Sequence, residues 1–115
     1  MRVKVNQNIF KVKTLIDKKS QSVGMMGKKF DKTFNGLLFL MGSDSQCFWM
    51  KNCIQNLDII IINNNTITEI HHDCPPCNDD DCDHYCGDGN IVLEIDGGSC
   101  ERLNISEGDN VEYLM

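Results

Sequence analysis

The chain contains the segment Phe48-Trp49-Met50-Lys51-Asn52-Cys53, followed after three residues by Leu57-Asp58-Ile59-Ile60. Together they hold the only tryptophan and two charged side chains, Lys51 and Asp58, set among apolar residues. Short apolar runs of this kind are typical of buried strands. A charge inside such a strand is costly unless it is paired or hydrogen-bonded. Lys51 and Asp58 are therefore the first candidates for a functional site.

Strand patterns also dominate the rest of the chain. Asp17 is placed to cap a short helix, and Asn63-Asn64-Asn65 suits a tight turn because asparagine tolerates positive φ. The predicted strands are residues 3–5, 9–13, 36–41, 47–51, 57–62, 66–70, 91–95 and 110–114, and the predicted helical segments are residues 18–25 and 99–103. Residues 1–115 are thus predicted to form a single domain that is mainly β (α+β). Its expected architecture is a partly open antiparallel β-barrel with one or two short helices.

The size and charge of the chain limit the classes of protein to which it can belong. It has 115 residues and a net charge of −6, which argues against a nucleic-acid partner because phosphate binding needs a concentrated basic surface. No apolar run approaches the roughly 20 residues that a membrane helix needs. No secretory signal is visible, so we expect a soluble cytoplasmic protein without a membrane partner, whose thiols stay reduced. The lysine- and asparagine-rich, arginine-poor composition is typical of AT-rich genomes, viral genomes among them.

Short motifs along almost the whole chain resemble those of one bacterial and archaeal family. The most specific is residues 48–53, similar to the family's Phe-Trp-Met-Lys-Asn-Thr. The other motifs are Gly24-Met25-Met26, Gly36-Leu37-Leu38-Phe39, Leu57-Asp58-Ile59-Ile60, Val92-Leu93-Glu94-Ile95 and Gly108-Asp109. On these residues the chain resembles the domain of unknown function 192 family, DUF192. The resemblance implies a fold but no activity, since none is established for the family.

The chain departs from this family pattern at two positions. Cys53 stands where the family has threonine, and Asn56 stands where it has proline. A role carried by the threonine hydroxyl would therefore be absent here.

The tryptophan and lysine of the central motif predict a ligand pocket. In a strand over residues 47–51, Trp49 and Lys51 point to the same face. With Asp58 and Glu94 on neighbouring strands, they would line a pocket with apolar walls and a polar floor. The predicted ligand-binding residues are Trp49, Lys51, Asn52, Asp58 and Glu94.

Two alternatives to a ligand pocket remain open. In the first, Lys51 forms a structural ion pair with Asp58 or Glu94, and Trp49 packs in the core. In the second, the protein is an enzyme of unknown reaction that uses Lys51, Asp58 and Glu94. The sequence contains no legible nucleophile–base pair, so no catalytic residue is predicted.

Residues 71–90 form a Cys- and Asp-rich loop without hydrophobic periodicity. The spacing C-x2-C-x4-C-x3-C places four thiols within 13 residues, and thiolates are preferred ligands of zinc. The sequence therefore predicts a structural zinc site in this loop. The predicted metal ligands are Cys74, Cys77, Cys82 and Cys86, with His84 as the substitute for one of them.

Other states of these cysteines remain open. The resemblance implies that Cys77 and Cys82 match a cysteine pair of some family members, which in secreted ones can be oxidised. Free thiols in an acidic loop are a further alternative, and redox catalysis is disfavoured because the neighbouring aspartates oppose a thiolate. The cysteines outside the loop, Cys47, Cys53 and Cys100, are expected to be small buried hydrophobic residues.

The sequence thus favours a small non-enzymatic binding or accessory domain. It would have a pocket at Trp49 and Lys51 and a metal-stabilised loop at residues 74–86. The expected partner is an unidentified small molecule or protein, and zinc is the expected cofactor. The alternative function is the enzyme that uses Lys51, Asp58 and Glu94.

Overall fold

Nine strands and two short helices make up the structure, a computed structural model in which residues 1–115 are all described. In chain order they are β1 (Arg2–Val5), β2 (Asn8–Leu15), α1 (Lys18–Val23), β3 (Gly36–Leu40), β4 (Ser45–Phe48), β5 (Leu57–Asn63), β6 (Thr66–Cys74), β7 (Tyr85–Asp88), β8 (Ile91–Asp96), α2 (Ser99–Arg102) and β9 (Val111–Leu114). Neither helix has the length and apolar character needed to cross a bilayer.

The most apolar strands, β3, β5 and β8, lie side by side in the middle of a seven-stranded sheet. The order is β6-β5-β8-β3-β2-β1-β9, and all neighbours are antiparallel except β2 and β3. Parallel neighbours need a crossover connection, which the segment containing α1 provides. The strands β4 and β7 form a separate antiparallel ribbon. The prediction of a mainly β fold with a curled, partly open sheet and two short helices is confirmed.

Alternate side chains of the central strands enter two separate hydrophobic clusters. The first cluster includes Leu38, Ile60, Ile62, Leu93 and Ile95 and is closed by β1, β2, β9 and α2. The second includes Leu37, Phe39, Ile59, Ile61 and Val92, together with Met25 and Met50 from outside the sheet. Burial of each large aliphatic side chain contributes roughly 1.5–3 kcal/mol. Both faces of these strands must therefore be covered for the fold to be stable.

The ribbon of β4 and β7 packs closely against β5 and helps to cover the second cluster. Cys47 and Cys86 stand directly opposite each other in the ribbon and form a disulfide, with their Cα atoms 4.0 Å apart. Gly87 brings β7 against the sheet, because a Cβ atom at this position would lie 2.7 Å from Ile61 Cδ1. A larger residue would push the ribbon away from β5.

Local sequence signals explain several of the element ends. The Asp17 carboxylate accepts a hydrogen bond from Ser20 N at 3.0 Å and caps α1, as predicted. The helix ends before Gly24, whose φ is +47°, and is therefore two residues shorter than predicted. Asn64 and Asn65 have φ of 53° and 63° in the predicted turn between β5 and β6.

The largest differences from the predicted strands lie in β4, β6 and β7. The ribbon strand β4 ends at Phe48 rather than at Lys51, and β6 continues to Cys74 rather than ending at Ile70. A short strand, β7, lies within the predicted loop. The residues of these segments are mixed polar and apolar, without the alternation that predicts a strand. Backbone pairing with the neighbouring strands makes them strands in the structure.

Asp58 is a fully buried carboxylate whose role in the structure is clear from its partners. One oxygen accepts hydrogen bonds from the backbone N–H groups of Asp73 at 2.7 Å and Gly98 at 2.9 Å. The other accepts from Cys100 N at 2.8 Å. Helix α2 has no side-chain cap of its own, so Asp58 satisfies its first amides from the neighbouring strand. Asp58 thereby ties β5, β6 and α2 together.

We expect Asp58→Ala to destabilise the protein strongly, because it leaves buried backbone donors without an acceptor. Hydrogen bonds to a charged group contribute about 1.5–3 kcal/mol each, so the free energy of unfolding should fall by about 3–5 kcal/mol. Urea denaturation followed by circular dichroism measures this loss. Asp80→Ala, which removes a fully exposed carboxylate, is the matched control and should stay within about 0.5 kcal/mol of wild type. A loss for Asp58→Ala no larger than the control's would contradict this role.

Candidate functional site

A cavity of about 340 Å³ opens between α1 and the second face of the sheet. It is bounded by the helix, by the turn that follows it, by β3 and β4, and by one side chain of β8. Its lining residues are Lys18, Gln21, Ser22, Val23, Gly24, Met25, Met26, Phe39, Met41, Cys47, Phe48, Trp49, Lys51, Cys53 and Glu94. Nine of these are hydrophobic, so the walls are mainly apolar and the polar groups are few.

Aromatic side chains form one wall and the mouth of this cavity. Phe39 and Phe48 pack edge to face, with ring centroids 4.9 Å apart. Trp49 is 45% exposed, and its aromatic neighbour is His84, in an edge-to-face arrangement with 6.1 Å between ring centroids. The alternative in which Trp49 packs in the core is therefore wrong, because β4 ends before this residue and releases it to the surface.

Glu94 lines the cavity and has no partner in the protein. It stands on the central strand β8, between Leu37 of β3 and Ile59 of β5, and is 4% exposed. Its carboxyl makes no hydrogen bond or ion pair with the protein, and its oxygens are not among the side-chain atoms that are closed off from solvent, so they face the open cavity. Burial raises the pKa of Glu94 to about 8, so the group is mostly protonated at neutral pH.

Lys51 also lines the cavity, but its ammonium group is directed to the cysteine-rich loop. Its Nζ donates hydrogen bonds to the carbonyl oxygens of Asn78 and Asp79 and lies 3.4 Å from an Asp80 carboxylate oxygen. The alternative of an ion pair with Asp58 or Glu94 is therefore wrong. Because Asp80 is fully exposed, the pair that does form contributes little to stability.

The structure brings together three of the five predicted ligand-binding residues. Trp49, Lys51 and Glu94 line one cavity. Asn52 does not line it; this residue adopts φ of 59° and its backbone connects the loop at Cys77 to the segment after α1. Asp58 is occupied by three backbone amides, so the set of Lys51, Asp58 and Glu94 required by the enzyme alternative is not assembled.

The sequence prediction did not include the apolar lining of this pocket. Phe39, Met25 and Phe48 come from β3, the turn after α1, and β4, and only the folded arrangement joins them. Gly24-Met25-Met26 could have been recognised from the sequence, because it was among the motifs shared with the family. No feature of the sequence pointed to the helix residues Gln21 and Ser22.

The structure gives no support to the predicted zinc site. Cys77 pairs with Cys82 and Cys86 pairs with Cys47, which leaves Cys74 as a buried free thiol. No three His, Cys, Asp or Glu side chains lie where they could hold one metal ion. The physical reason is the pairing of β7 with β4, which places Cys86 opposite Cys47, while Cys77 and Cys82 bond to each other.

The remaining cysteines are partly as expected. Cys53 and Cys100 are buried free thiols, as predicted, whereas Cys47 is exposed and disulfide-bonded, so the prediction of a buried hydrophobic residue is wrong there. Burial and the nearby Glu94 raise the pKa of Cys53 to about 11, and burial and nearby carboxylates raise that of Cys74 to about 12. Both thiols are therefore poor nucleophiles at neutral pH. The two disulfides weigh against the expected reducing cytoplasm.

The two disulfides close loops of different length and should contribute unequally to stability. Cys47–Cys86 spans a sequence separation of 39 and Cys77–Cys82 one of 5. From loop entropy we expect Cys47→Ser/Cys86→Ser to lower the free energy of unfolding by about 4 kcal/mol, and Cys77→Ser/Cys82→Ser by about 2 kcal/mol. Urea denaturation without reductant measures both. A larger loss for the short loop would show that loop entropy is not the main contribution.

Glu94 should make the protein less stable as the pH rises. Its pKa is 4.5 in an unconstrained chain and about 8 in the folded protein, so between these values the folded state holds a proton that the unfolded state has lost. The free energy of unfolding should therefore fall by up to about 1.4 kcal/mol per pH unit between about pH 5 and pH 8, and level off above. Glu94→Gln, which cannot ionise, should flatten this slope in urea denaturation. An unchanged slope in the variant would assign the pH dependence to other groups.

Comparison with known families supports the same fold. The model of the DUF192 family, described as Uncharacterized ACR, matches residues 1–113. No protein with a curated description matches the chain.

Two solved structures are similar to the chain over nearly its whole length. A protein of unknown function from Novosphingobium aromaticivorans DSM 12444 is 29% identical with a TM-score of 0.85, and the alignment covers 97% of this chain and 84% of that one. A protein from Sinorhizobium meliloti 1021, described as a candidate transcription regulator, is 27% identical with a TM-score of 0.83, with 96% and 91% covered. The family-model match confirms the family resemblance seen in the motifs, and the two solved structures share the fold; neither of their descriptions names a ligand or a reaction.

Proposed function

The chain belongs to the DUF192 family, and we propose that it is a small binding domain whose ligand occupies the cavity beside α1. The observation that carries this proposal is the combination of a mainly apolar cavity with one buried polar group, Glu94, that has no partner. Pockets with apolar walls and few, convergent polar groups are typical of small-molecule sites. Trp49 and Lys51 at the same cavity are the further residues that we assign to binding.

An unpartnered buried carboxyl is costly in a folded protein. Complete removal of a polar group from water without a hydrogen bond costs roughly 1–3 kcal/mol on protein scales, and Glu94, which keeps solvent contact through the cavity, bears part of that cost. The fold does not need this group, because apolar side chains surround it on β3 and β5. A ligand that hydrogen-bonds to Glu94 would recover the lost free energy, which favours a binding role over a structural one.

The enzyme alternative has less support. Catalysis by proton transfer needs groups placed within hydrogen-bond reach of the same reacting atoms. Asp58 is occupied by backbone amides and Lys51 by the cysteine-rich loop, which leaves Glu94 as the one acid or base of the proposed set that is free to act. A single carboxyl in an apolar cavity suits recognition of a ligand better than a reaction.

A role in transcription, suggested by the description of the Sinorhizobium meliloti relative, has less support in this chain. A regulator that binds DNA needs a basic surface, whereas the net charge here is −6. The cysteine-rich loop, in this proposal, is stabilised by disulfides rather than by zinc. Two disulfides are typical of proteins that fold in an oxidising compartment, and we propose such a compartment for this protein.

Hexan-1-ol, a neutral probe with an apolar chain, tests whether the cavity binds ligands. We expect saturable chemical-shift changes at Phe39, Phe48 and the Trp49 indole in two-dimensional NMR spectra. Ser22→Phe introduces an aromatic ring at the cavity and should weaken binding at least about tenfold, equivalent to about 1.4 kcal/mol. Lys19→Phe adds the same ring on the same helix at an exposed residue that does not line the cavity, and should leave binding unchanged.

Two results would contradict the proposed binding role. One is the absence of saturable shifts at the cavity residues in wild type. The other is equal binding by Ser22→Phe and Lys19→Phe, since it would place the probe elsewhere on the surface.

A further inference from the structure

We propose that the ligand of this cavity is an amine with an apolar body, whose ammonium group binds the Glu94 carboxylate. This inference rests on the binding role proposed above and names the chemical class of the ligand. It is argued from the missing countercharge at Glu94, from the aromatic wall, and from the positions of the other charges near the cavity.

The countercharge that Glu94 lacks is the first argument. A buried carboxyl is normally paired or hydrogen-bonded, and Asp58, one strand away, follows that rule with three backbone amides. Glu94 has no cation within 4.0 Å and no hydrogen-bond donor. Of the two lysines that line the cavity, Lys51 is committed to Asn78, Asp79 and Asp80, and Lys18 is exposed to water. A ligand ammonium would supply the charge and the donors that the protein does not.

The cavity wall suits the rest of such a ligand. Phe39, Phe48 and Trp49 present aromatic surface, which attracts cations as well as apolar groups. Met25 and Met26 add polarizable apolar surface. At about 340 Å³ the cavity is at the small end of ligand sites, so a short aliphatic or monocyclic amine fits better than a larger molecule.

The other ionisable groups around Glu94 are exposed, paired or neutral. Glu94 is therefore the group in the cavity that would bind a charged ligand. Lys18 of α1 and Lys51 lie at the cavity as cations, but Lys18 is exposed to water and Lys51 is paired with Asp80. The thiols of Cys53 and Cys74, whose pKa values are about 11 and 12, are neutral at physiological pH. Cys47 is in a disulfide and does not titrate. A carboxylate ligand would face Glu94 in the cavity and would be repelled once that group ionises.

Binding of an ammonium group should change the protonation of Glu94. Below pH 8 the free protein holds the proton on this carboxyl. An ammonium group favours the carboxylate, so binding should release about one proton to the buffer, and amine affinity should rise between about pH 6 and pH 8.5. A neutral alcohol carries no charge that favours the ionised form of Glu94. Its binding should therefore release no proton.

Three probes with the same six-carbon chain test the ligand class: hexylamine, hexan-1-ol and hexanoate. At about pH 8.5, where hexylamine is still an ammonium ion, we expect wild type to bind hexylamine at least about tenfold more tightly than hexan-1-ol, and hexanoate most weakly. Glu94→Gln keeps the size of the side chain and removes its charge. In this variant hexylamine should lose its advantage while the affinity for hexan-1-ol is retained.

The outcomes separate this inference from the proposed binding role. If hexan-1-ol binds at the cavity but hexylamine binds no more tightly, or hexanoate binds best, the amine assignment is overturned and the binding role stands. If no probe gives saturable shifts at the cavity, both proposals fail.

Proton release provides a second measurement that does not depend on the variant. Calorimetric titration of wild type with hexylamine at about pH 6.5, in buffers of different ionisation enthalpy, counts the protons released. About one proton per hexylamine supports the proposal, and none overturns it, even if Glu94→Gln fails to fold. Lys19→Met removes a lysine from an exposed position of α1 that does not line the cavity, so it is the control and should give the same proton count as wild type.

Discussion

The central strands of this protein are buried on both faces, and the rest of the structure depends on that constraint. Each of β3, β5 and β8 sends alternate side chains into two hydrophobic clusters. The sheet covers the first cluster by curling, so that β1, β2 and β9 close over it with α2. It cannot curl in both directions. The second cluster is therefore covered by separate pieces, namely α1, the segment that follows it, and the disulfide-bonded ribbon of β4 and β7. Pieces that are not joined edge to edge leave space between them, and the cavity is that space.

Two buried carboxylates show how the two faces differ. Asp58 and Glu94 lie on adjacent strands, and each is among the least exposed charged residues of the chain. Asp58 accepts three backbone hydrogen bonds where β5 meets the start of α2, so its charge is used to hold the fold. Glu94 lies on the face that is covered by separate pieces, and no backbone amide reaches it. The same chemical group is therefore structural at one position and available to a ligand at the other.

The sequence predicted the strands well because most of them have a clear apolar pattern. Leu57–Ile62 and Ile91–Ile95 could be recognised in this way, and Asp58 and Glu94 stood out as charges within them. What each charge does could not be predicted, because it depends on which backbone amides and side chains the neighbouring strands bring near. The cysteines were harder still. Cys86 lies in a segment without periodicity, so nothing local indicated a strand that would place it opposite Cys47. Four cysteines with zinc-like spacing were therefore interpreted as one site, whereas one of the four, Cys86, is bonded to a cysteine 39 residues away.

The short disulfide loop has a consequence for the cavity that follows from its geometry. Cys77 and Cys82 enclose the three residues that hold the Lys51 ammonium group, Asn78, Asp79 and Asp80. Backbone hydrogen bonds from Asn52 N to Cys77 O, at 2.9 Å, and from Cys77 N to Met50 O, at 3.2 Å, keep this loop beside Lys51. The loop therefore occupies the one lysine that lines the cavity close to the sheet. Lys51 is therefore committed to this loop, and the cavity keeps an acidic group, Glu94, that has no partner within the protein.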